Sequence, residues 1–96
     1  MKFLFSFSST SKKHNCFVSS PMGDKSVTAL PGIGQVMGDK LKQKGFEQAS
    51  QIFGSFLMMK QDRHKFTGWL QRECGIGARY SERVHDALQE WSQHYM

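Results

Sequence analysis

The sequence has few of the residues that build metal sites or disulfide frameworks. It contains two cysteines, Cys16 and Cys74, and its four histidines are scattered rather than paired at ligand spacing. Two thiols cannot form a structural zinc site alone, so we expect no metal, no cofactor and no metal-dependent catalysis. Two unpaired cysteines fit a reducing, intracellular compartment, although a single bridge between them is also compatible with the sequence.

Long apolar runs are missing as well. No segment approaches the ~20 apolar residues that span a bilayer, so the sequence predicts no membrane insertion. The first residues, Met1-Lys2-Phe3-Leu4-Phe5-Ser6-Phe7, have an apolar core too short for a signal peptide, and no small-residue cleavage site follows. We expect a disordered extension over residues 1–10 and one folded domain over residues 11–96.

Acidic residues are outnumbered, 8 against 13 lysines and arginines, which gives a formal net charge of +5. This excess suits a polyanionic partner, but many domains carry a similar charge for solubility alone. Charge therefore leaves the function open, and the motifs are needed to choose.

The central motif is Leu30-Pro31-Gly32-Ile33-Gly34, followed by a predicted helix over residues 35–44. Glycine permits a tight turn and close approach to a ligand because it has no Cβ. The first-turn N–H groups of the helix have no intrahelical acceptors, so they favour an anion such as phosphate, and Lys40 adds a positive charge. A turn without a ligand is the alternative. The helical spacing of the neighbouring apolar residues favours two short helices packed across a hairpin; these residues are Val27, Leu30, Ile33, Met37 and Leu41.

A second turn of the same kind, Gly75-Ile76-Gly77-Ala78, precedes the last predicted helix and offers a second anion site, with Arg79 in its first turn. The remaining patterns predict a helix ending near Ser20, a short turn over residues 26–30, and a helix from an N-cap at Asp62 to Cys74. Gly45 is placed to end the helix after the central turn. The last helix is predicted to bury Val84, Ala87, Leu88, Trp91 and Tyr95.

The predicted helix over residues 47–60 carries more apolar surface than one core needs, because Met58 and Met59 widen its apolar stripe beyond one face. Gly54 lies in its middle, where glycine is unfavourable. Close approach of a second backbone would explain this glycine. A tolerated glycine in an ordinary buried helix is the alternative.

Together these motifs resemble barrier-to-autointegration factor. The resemblance runs without gaps from about Ser11 to Met96 and is carried by Phe17, Pro21-Met22-Gly23, Gly32-Ile33-Gly34, Gly45-Phe46, Phe56-Leu57, Lys60, Trp69-Leu70, Cys74-Gly75 and Glu90-Trp91. It implies an all-α, compact five-helix bundle with a helix-hairpin-helix motif. It also implies a homodimer, or a heterodimer with a family member, that binds and bridges double-stranded DNA without sequence preference. The implied location is the nucleus, at chromatin and the nuclear envelope, and also the cytoplasm, with LEM-domain proteins of the inner nuclear membrane as further partners.

Carried over position by position, the resemblance assigns four sets of residues. DNA binding falls on Lys13, Gly32, Ile33, Gly34, Val36, Lys40, Ala78 and Arg79. Dimer contacts fall on Phe53, Gly54, Leu57 and Met58. The LEM-domain surface falls on Pro21, Met22, Phe46 and Lys60, and phosphorylation by vaccinia-related kinases on Thr10 and Ser11.

Two stretches depart from the family pattern. Where the family has a DNA-contacting arginine on the last helix, this sequence has Glu82, so we take the adjacent Arg83 as a candidate DNA contact instead. Glu82 would repel phosphate, and its spacing also predicts an ion pair with Arg79. The family's acidic loop reads here Asp62-Arg63-His64-Lys65.

Three functions are compatible with these features. The first is a non-enzymatic, DNA-bridging dimer. The second is a divergent paralogue that dimerises and modulates family members or LEM-domain partners with weak DNA binding, for which Glu82 is the main argument. The third is an enzyme, because helix-hairpin-helix motifs also occur in glycosylases and nucleases. We expect no catalysis and no small-molecule substrate, because Asp39, Lys40, Lys42 and Lys44 have the pattern of a solvated face rather than a pocket.

Overall fold

Five α-helices and one short 3₁₀ turn make up the computed structural model, which describes the backbone of residues 9–96 and the side chains from Lys12 onward. The helices are α1 (Ser9–Val18), α2 (Gln35–Gln43), α3 (Ala49–Met58), α4 (Arg63–Cys74) and α5 (Ala78–Tyr95), and the 3₁₀ turn (Val27–Ala29) lies between α1 and α2. No strand forms over residues 9–96. The predicted all-α, five-helix architecture is confirmed.

α1 begins inside the range predicted as an extension. Its first residue is Ser9, and residues 1–8 lie outside the described part of the chain. The domain boundary at residue 11 stays a prediction. Phe17 and Val18 close the helix and are buried, and just beyond them Trp91 Nε1 donates to the carbonyl oxygen of Ser20 at 2.9 Å. These contacts attach the end of α1 to α5.

The predicted helix ends at Gly45 and Asp62 are confirmed by their hydrogen bonds. Gly45 has a φ of 97°, and the N–H groups of Gly45 and Phe46 donate to the carbonyl oxygens of Lys42 and Leu41 at 3.0 and 2.8 Å. This is the Schellman arrangement that glycine favours after a helix. At the start of α4, the side chain of Asp62 accepts from the N–H of Lys65 at 2.9 Å. The Asp62 carboxylate therefore serves as the N-cap, and this bond lowers its pKa.

α3 is shorter than the predicted range of residues 47–60. At its start, Gln51 Oε1 accepts from the N–H groups of both Glu47 and Gln48 at 2.8 Å, so the chain is still extended there. At its end, Lys60 and Gln61 adopt left-handed conformations with φ of 57° and 61°. His85 Nε2 lies 3.3 Å from the carbonyl oxygen of Gln61. The Gln51 side-chain bonds at its start and the left-handed Lys60 and Gln61 after its end therefore mark the limits of α3.

The core lies between the helices and takes buried side chains from all five helices, the 3₁₀ turn and the central turn. The fully buried aliphatic and aromatic members include Val27, Leu30, Leu41, Ile52, Phe56, Phe66, Leu70, Val84 and Leu88. On α5, Val84, Ala87, Leu88 and Trp91 are buried as predicted. The prediction for Tyr95 is wrong: it is 43% exposed, because it lies in the last turn of α5 and stacks on the Trp91 ring at 4.8 Å instead of entering the core.

Candidate nucleic-acid interface

The two glycines of the central turn serve different purposes. Gly32 has a φ of 95°, and a Cβ added there would lie 2.6 Å from the carbonyl oxygen of Tyr80. A side chain at this position would therefore push α5 away. Gly34, by contrast, has extended backbone, and no atom lies within 4 Å of where its Cβ would be. Gly32 seats the turn against α5, whereas Gly34 leaves the start of α2 open.

Both glycine turns leave backbone donors available. The first helical bond of α2 runs from Gly38 N–H to the carbonyl oxygen of Gly34 at 2.8 Å, and no described residue accepts from the N–H groups of Gly34, Gln35 or Val36. In α5 the corresponding bond runs from Ser81 to Gly77 at 2.8 Å. Free N–H groups and the helix dipole together favour an anion at each start. Ile33 is an exception, because its N–H donates to Leu30 at 3.1 Å.

Lys13 is held at the central turn by a direct hydrogen bond. Its Nζ donates to the carbonyl oxygen of Ile33 at 2.6 Å, although the two residues are 20 positions apart. Burial lowers the pKa of this ammonium group. An ammonium has three donors, so two remain for an outside acceptor. Ile33, one of the predicted DNA-binding residues, therefore holds Lys13 through its carbonyl oxygen, while its own N–H is bonded to Leu30.

A shallow depression of about 250 Å³ brings the predicted basic residues to the central turn. Its lining consists of Lys13, Pro31, Gly32, Ile33, Gly34, Tyr80 and Arg83. It therefore contains two cations and no carboxylate. The Arg83 guanidinium lies over the Tyr80 ring, 5.4 Å from its centroid. The depression is suited to an anion that also contacts the open start of α2.

The two glycine turns meet in a second, adjoining depression of about 380 Å³. It is lined by Gly32, Gly34, Gln35, Val36, Met37, Ile76, Gly77 and Tyr80. Val36 is 72% exposed here. Tyr80 lines both depressions and so lies between the turns. The sequence pattern predicted an anion site at each turn, and in the structure residues of both turns line one surface.

The other predicted DNA-binding residues lie outside the two depressions. Lys40 is exposed on α2. Ala78 and Arg79 are exposed in the first turn of α5, beside Tyr80. These three exposed side chains are available to a long ligand that extends beyond the depressions.

Glu82 makes a different ion pair from the one the spacing predicted. It pairs with Arg63 at the start of α4 rather than with Arg79: Arg63 donates through Nη1 to Glu82 and through Nη2 to Asp86, the latter at 2.7 Å. The bonds to Asp86 and Glu82 raise the pKa of the Arg63 guanidinium. We call this three-residue cluster the Arg63 clamp. Sequence analysis missed it, although Arg63 and Glu82 were both noted as departures from the family pattern, with opposite charges.

Tyr80 was also missed. The signal in the sequence was an aromatic residue in the first turn after a glycine turn, where a solvent-facing side chain is expected. An aromatic residue that is 51% exposed at such a position is a candidate contact residue.

The predicted dimer residues form a partly exposed strip on α3. Met58 is 85% exposed, Phe53 and Leu57 are half-buried, and no atom lies within 4 Å of the position that a Gly54 Cβ would take. No described part of this chain therefore explains the glycine by close packing. Phe53 packs on Trp91 with ring centroids 5.1 Å apart.

The predicted LEM-domain surface is only partly exposed. Pro21 and Lys60 are exposed, and Phe46 is half-buried with its ring 5.6 Å from that of Trp69. Met22 is 7% exposed and packs in the core, so it offers little surface to a partner. Thr10 and Ser11 fall in the first turn of α1, where their side chains lie outside the described part of the chain.

No described helix is long and apolar enough to cross a membrane. From Lys12 to Met96, no three His, Cys, Asp or Glu side chains come together as a metal site would require.

The fold and the site together define a small, all-helical protein. Each of its two glycine turns precedes a helix, and the first turns of both helices lie at one basic surface. The family model described as barrier to autointegration factor matches residues 8–95. The chain is 43% identical over 89 residues to barrier-to-autointegration factor of Danio rerio, covering 93% of this chain and 99% of that protein. It is 42% identical over 87 residues to the Homo sapiens protein of that name, covering 91% and 98%. For barrier-to-autointegration factor 1 of Caenorhabditis elegans, the identity is 42% over 88 residues, covering 92% and 99%. The chain belongs to the barrier-to-autointegration factor family.

Proposed function

We propose that this protein is a non-enzymatic DNA-binding factor that grips the backbone of double-stranded DNA without sequence preference. Acting as a dimer, it holds two duplexes together in the nucleus. Phosphate oxygens bind at the open start of α2, with Lys13 and Arg83 on one side and the start of α5 on the other. Contacts of this kind position a protein on DNA without reading bases.

One observation carries the proposal: Lys13, the Gly32–Gly34 turn and Arg83 line a single depression that contains no carboxylate. These residues come from three separate parts of the chain: α1, the central turn and α5. Core packing alone does not require these parts to bring two cations next to free helix N–H groups. In this proposal Arg83 serves as the DNA-contacting arginine of the last helix, because Glu82 occupies the position where the family has that arginine. Glu82 is bound by Arg63 and does not line the depression.

The test is a titration of labelled duplexes of several sequences by fluorescence anisotropy, over a range of about 50 to 200 mM salt. We expect equal affinity for all sequences and a steep loss with salt, because each neutralised phosphate contributes about 0.9 to the logarithmic slope. Arg83→Ala should weaken binding to every sequence alike and reduce the slope by about one phosphate. Arg72→Ala removes the same charge from the exposed end of α4 and serves as the matched control.

Affinity that does not change with salt, or that differs strongly between sequences, would contradict a backbone grip. Equal losses for Arg83→Ala and Arg72→Ala would show that net charge, and not this site, governs binding. Failure to bind any duplex at low salt would reject DNA binding for this chain.

The second candidate is a paralogue that dimerises and modulates family members or LEM-domain partners while binding DNA weakly. The Arg63 clamp favours it, because two carboxylates and one guanidinium leave a net charge of −1 on the exposed side of α5. Exposure of Pro21 and Lys60 leaves part of the LEM-domain surface available for this role. The low-salt titration separates the two candidates, since the paralogue would dimerise without retaining duplex.

A further inference from the structure

We propose that Tyr80 and the 380 Å³ depression form a stacking site for one unpaired DNA base, as found at an overhanging strand end. The proposal rests on the backbone grip proposed above, which would deliver the DNA strand to this surface. It adds a ligand group that the phosphate contacts do not use, namely the flat face of a base.

Tyr80 is placed as a stacking residue would be. Its side chain is 51% exposed in the first turn of α5, and it lines both depressions. Arg83 lies over the ring at 5.4 Å but lines only the smaller depression. The larger depression therefore meets the ring away from the guanidinium, where a second planar group can stack.

The side chains of the larger depression suit the flat face of a base next to a phosphate held at the glycine turns. Apart from the Tyr80 ring, its side chains are the aliphatic and thioether groups of Val36, Met37 and Ile76 and the amide of Gln35, with glycine backbone between them. No charged side chain lines it. At about 380 Å³ it falls within the ~300–1,000 Å³ typical of small-molecule sites.

The charges around the depression decide which apolar ligand it suits. Lys13 and Arg83 lie in the adjoining depression, and the free N–H groups of α2 begin at Gly34, which lines both. A ligand spanning the two depressions must therefore combine a flat apolar ring with an anionic group close by. A nucleotide has this combination, and proteins hold single-stranded bases by stacking them on aromatic side chains beside a positively charged groove.

The base must be unpaired. In a duplex each base is stacked on its neighbours and presents only its edges in the grooves. Exposing the face of a paired base costs unpairing energy, which an overhang does not require. The site therefore distinguishes DNA ends with a single-stranded overhang from blunt ends.

The experiment compares one duplex with blunt ends and the same duplex with a short single-stranded overhang that carries 2-aminopurine as its first base. We expect tighter binding of the overhang by roughly five-fold or more, the scale of one stacked base, with quenching of 2-aminopurine fluorescence. Tyr80→Phe should keep both effects, because the ring is retained. Tyr80→Ala should abolish the quenching and bind the overhanging and blunt duplexes with equal affinity, so the ratio of the two affinities within each variant is the readout. Tyr95→Ala, which removes another exposed tyrosine at the far end of α5, is the matched control and should behave as the unmodified protein.

Each outcome decides the proposal. Equal affinity for both DNAs without quenching, or a preference that survives Tyr80→Ala, rejects the stacking site while leaving the backbone grip intact. Loss of the preference in Tyr80→Phe also rejects it, because stacking does not need the hydroxyl. Failure of the unmodified protein to bind even the blunt duplex rejects the backbone grip, and the stacking site with it.

Discussion

Arg63 contacts two carboxylates of α5 at once, and this contact sets the charge of the surface beside the proposed DNA site. Glu82 and Asp86 are one helical turn apart, so their charges repel each other when unpaired. Arg63 reaches both from the first turn of α4. All three side chains are about half exposed, so each pair by itself contributes little to stability. In the proposed function, the main effect of the clamp is on the electrostatic field that an approaching phosphate meets.

The first prediction concerns this clamp. Arg63→Ala should weaken duplex binding by roughly two- to five-fold beyond the effect of removing one charge. The reason is that it leaves two unpaired carboxylates, whose repulsion of phosphate should cost about 0.5–1 kcal/mol of binding free energy. The measurement is the duplex titration at low salt. Lys65→Ala is the matched control, since it removes a charge from the same exposed turn of α4 and leaves the clamp intact.

The same prediction has an internal check. In a chain that already carries Glu82→Gln and Asp86→Asn, Arg63→Ala should cost no more than Lys65→Ala. If Arg63→Ala costs the same in both backgrounds, Arg63 acts on DNA directly and the clamp has no role in binding.

The second prediction concerns the two thiols. Cys16 is exposed, whereas Cys74 is buried, and burial raises the pKa of Cys74 from 9.0 to about 11. At neutral pH, a thiol-reactive dye should therefore label one cysteine rapidly in the native chain and two in denaturant. Two rapidly labelled thiols in the native chain would contradict the burial of Cys74.

Cys74 also gives a dependence of stability on pH. Because its pKa is higher in the folded chain, the unfolded chain releases the proton first as the pH rises. Stability should therefore fall between about pH 9 and pH 11. Thermal melts should show a smaller fall over this range in Cys74→Ala, which lacks the titrating group. An equal fall in both proteins would assign the effect to other groups.

At the scale of single elements, the central turn makes a prediction that separates folding from binding. Gly32→Ala should destabilise the fold by about 1–3 kcal/mol, because the new Cβ meets the Tyr80 backbone and the φ of 95° disfavours a side chain. Gly34→Ala should cost less than about 1 kcal/mol of stability, since the space there is open and only the N-cap preference is lost. It should nevertheless weaken DNA binding, because its methyl group lies where a phosphate would approach.

Thermal melts and duplex titrations on the same two variants test this contrast. Equal losses of melting temperature would show that both glycines serve packing. Full DNA affinity in a folded Gly34→Ala protein would show that the start of α2 does not contact phosphate.

At the scale of the whole molecule, the apolar strip on α3 predicts a dimer. Gly54→Glu should place a charge into the contact between subunits, where an unpaired buried ion costs several kcal/mol, and so yield monomers. The mass in solution, measured by light scattering, should fall by half. Such monomers should still bind one duplex but no longer hold two together.

Gly68→Glu is the matched control, because it introduces the same residue in the middle of α4, where the flexible end of Arg72 is the nearest group. It should leave the mass unchanged. An unchanged mass for Gly54→Glu as well would reject this strip as the dimer contact.

The pattern of residues along the chain predicts that the helices form, where the two glycine turns lie and which residues make up most of the core. The Gly45 helix end and the Asp62 N-cap depend on hydrogen bonds between residues only three to five positions apart, so their pattern is visible in the chain. Burial on α5 followed the 3.6-residue period as far as Trp91. The predicted burial was wrong at Tyr95, because the helical period indicates the direction of a side chain but not where the neighbouring elements end.

The assembly of these parts into a site depends on contacts between residues that are far apart in the sequence. Lys13 reaches Ile33 across 20 positions, and Arg63 reaches Glu82 and Asp86 across 19 and 23 positions. The packing of the helices determines which exposed basic side chain meets which partner. The periodicity of the sequence carries no information about this packing. Because of this packing, Glu82 pairs with Arg63 instead of Arg79, and Arg83 lies beside the central turn. Tyr80 lies between two turns that are more than 40 positions apart in the sequence.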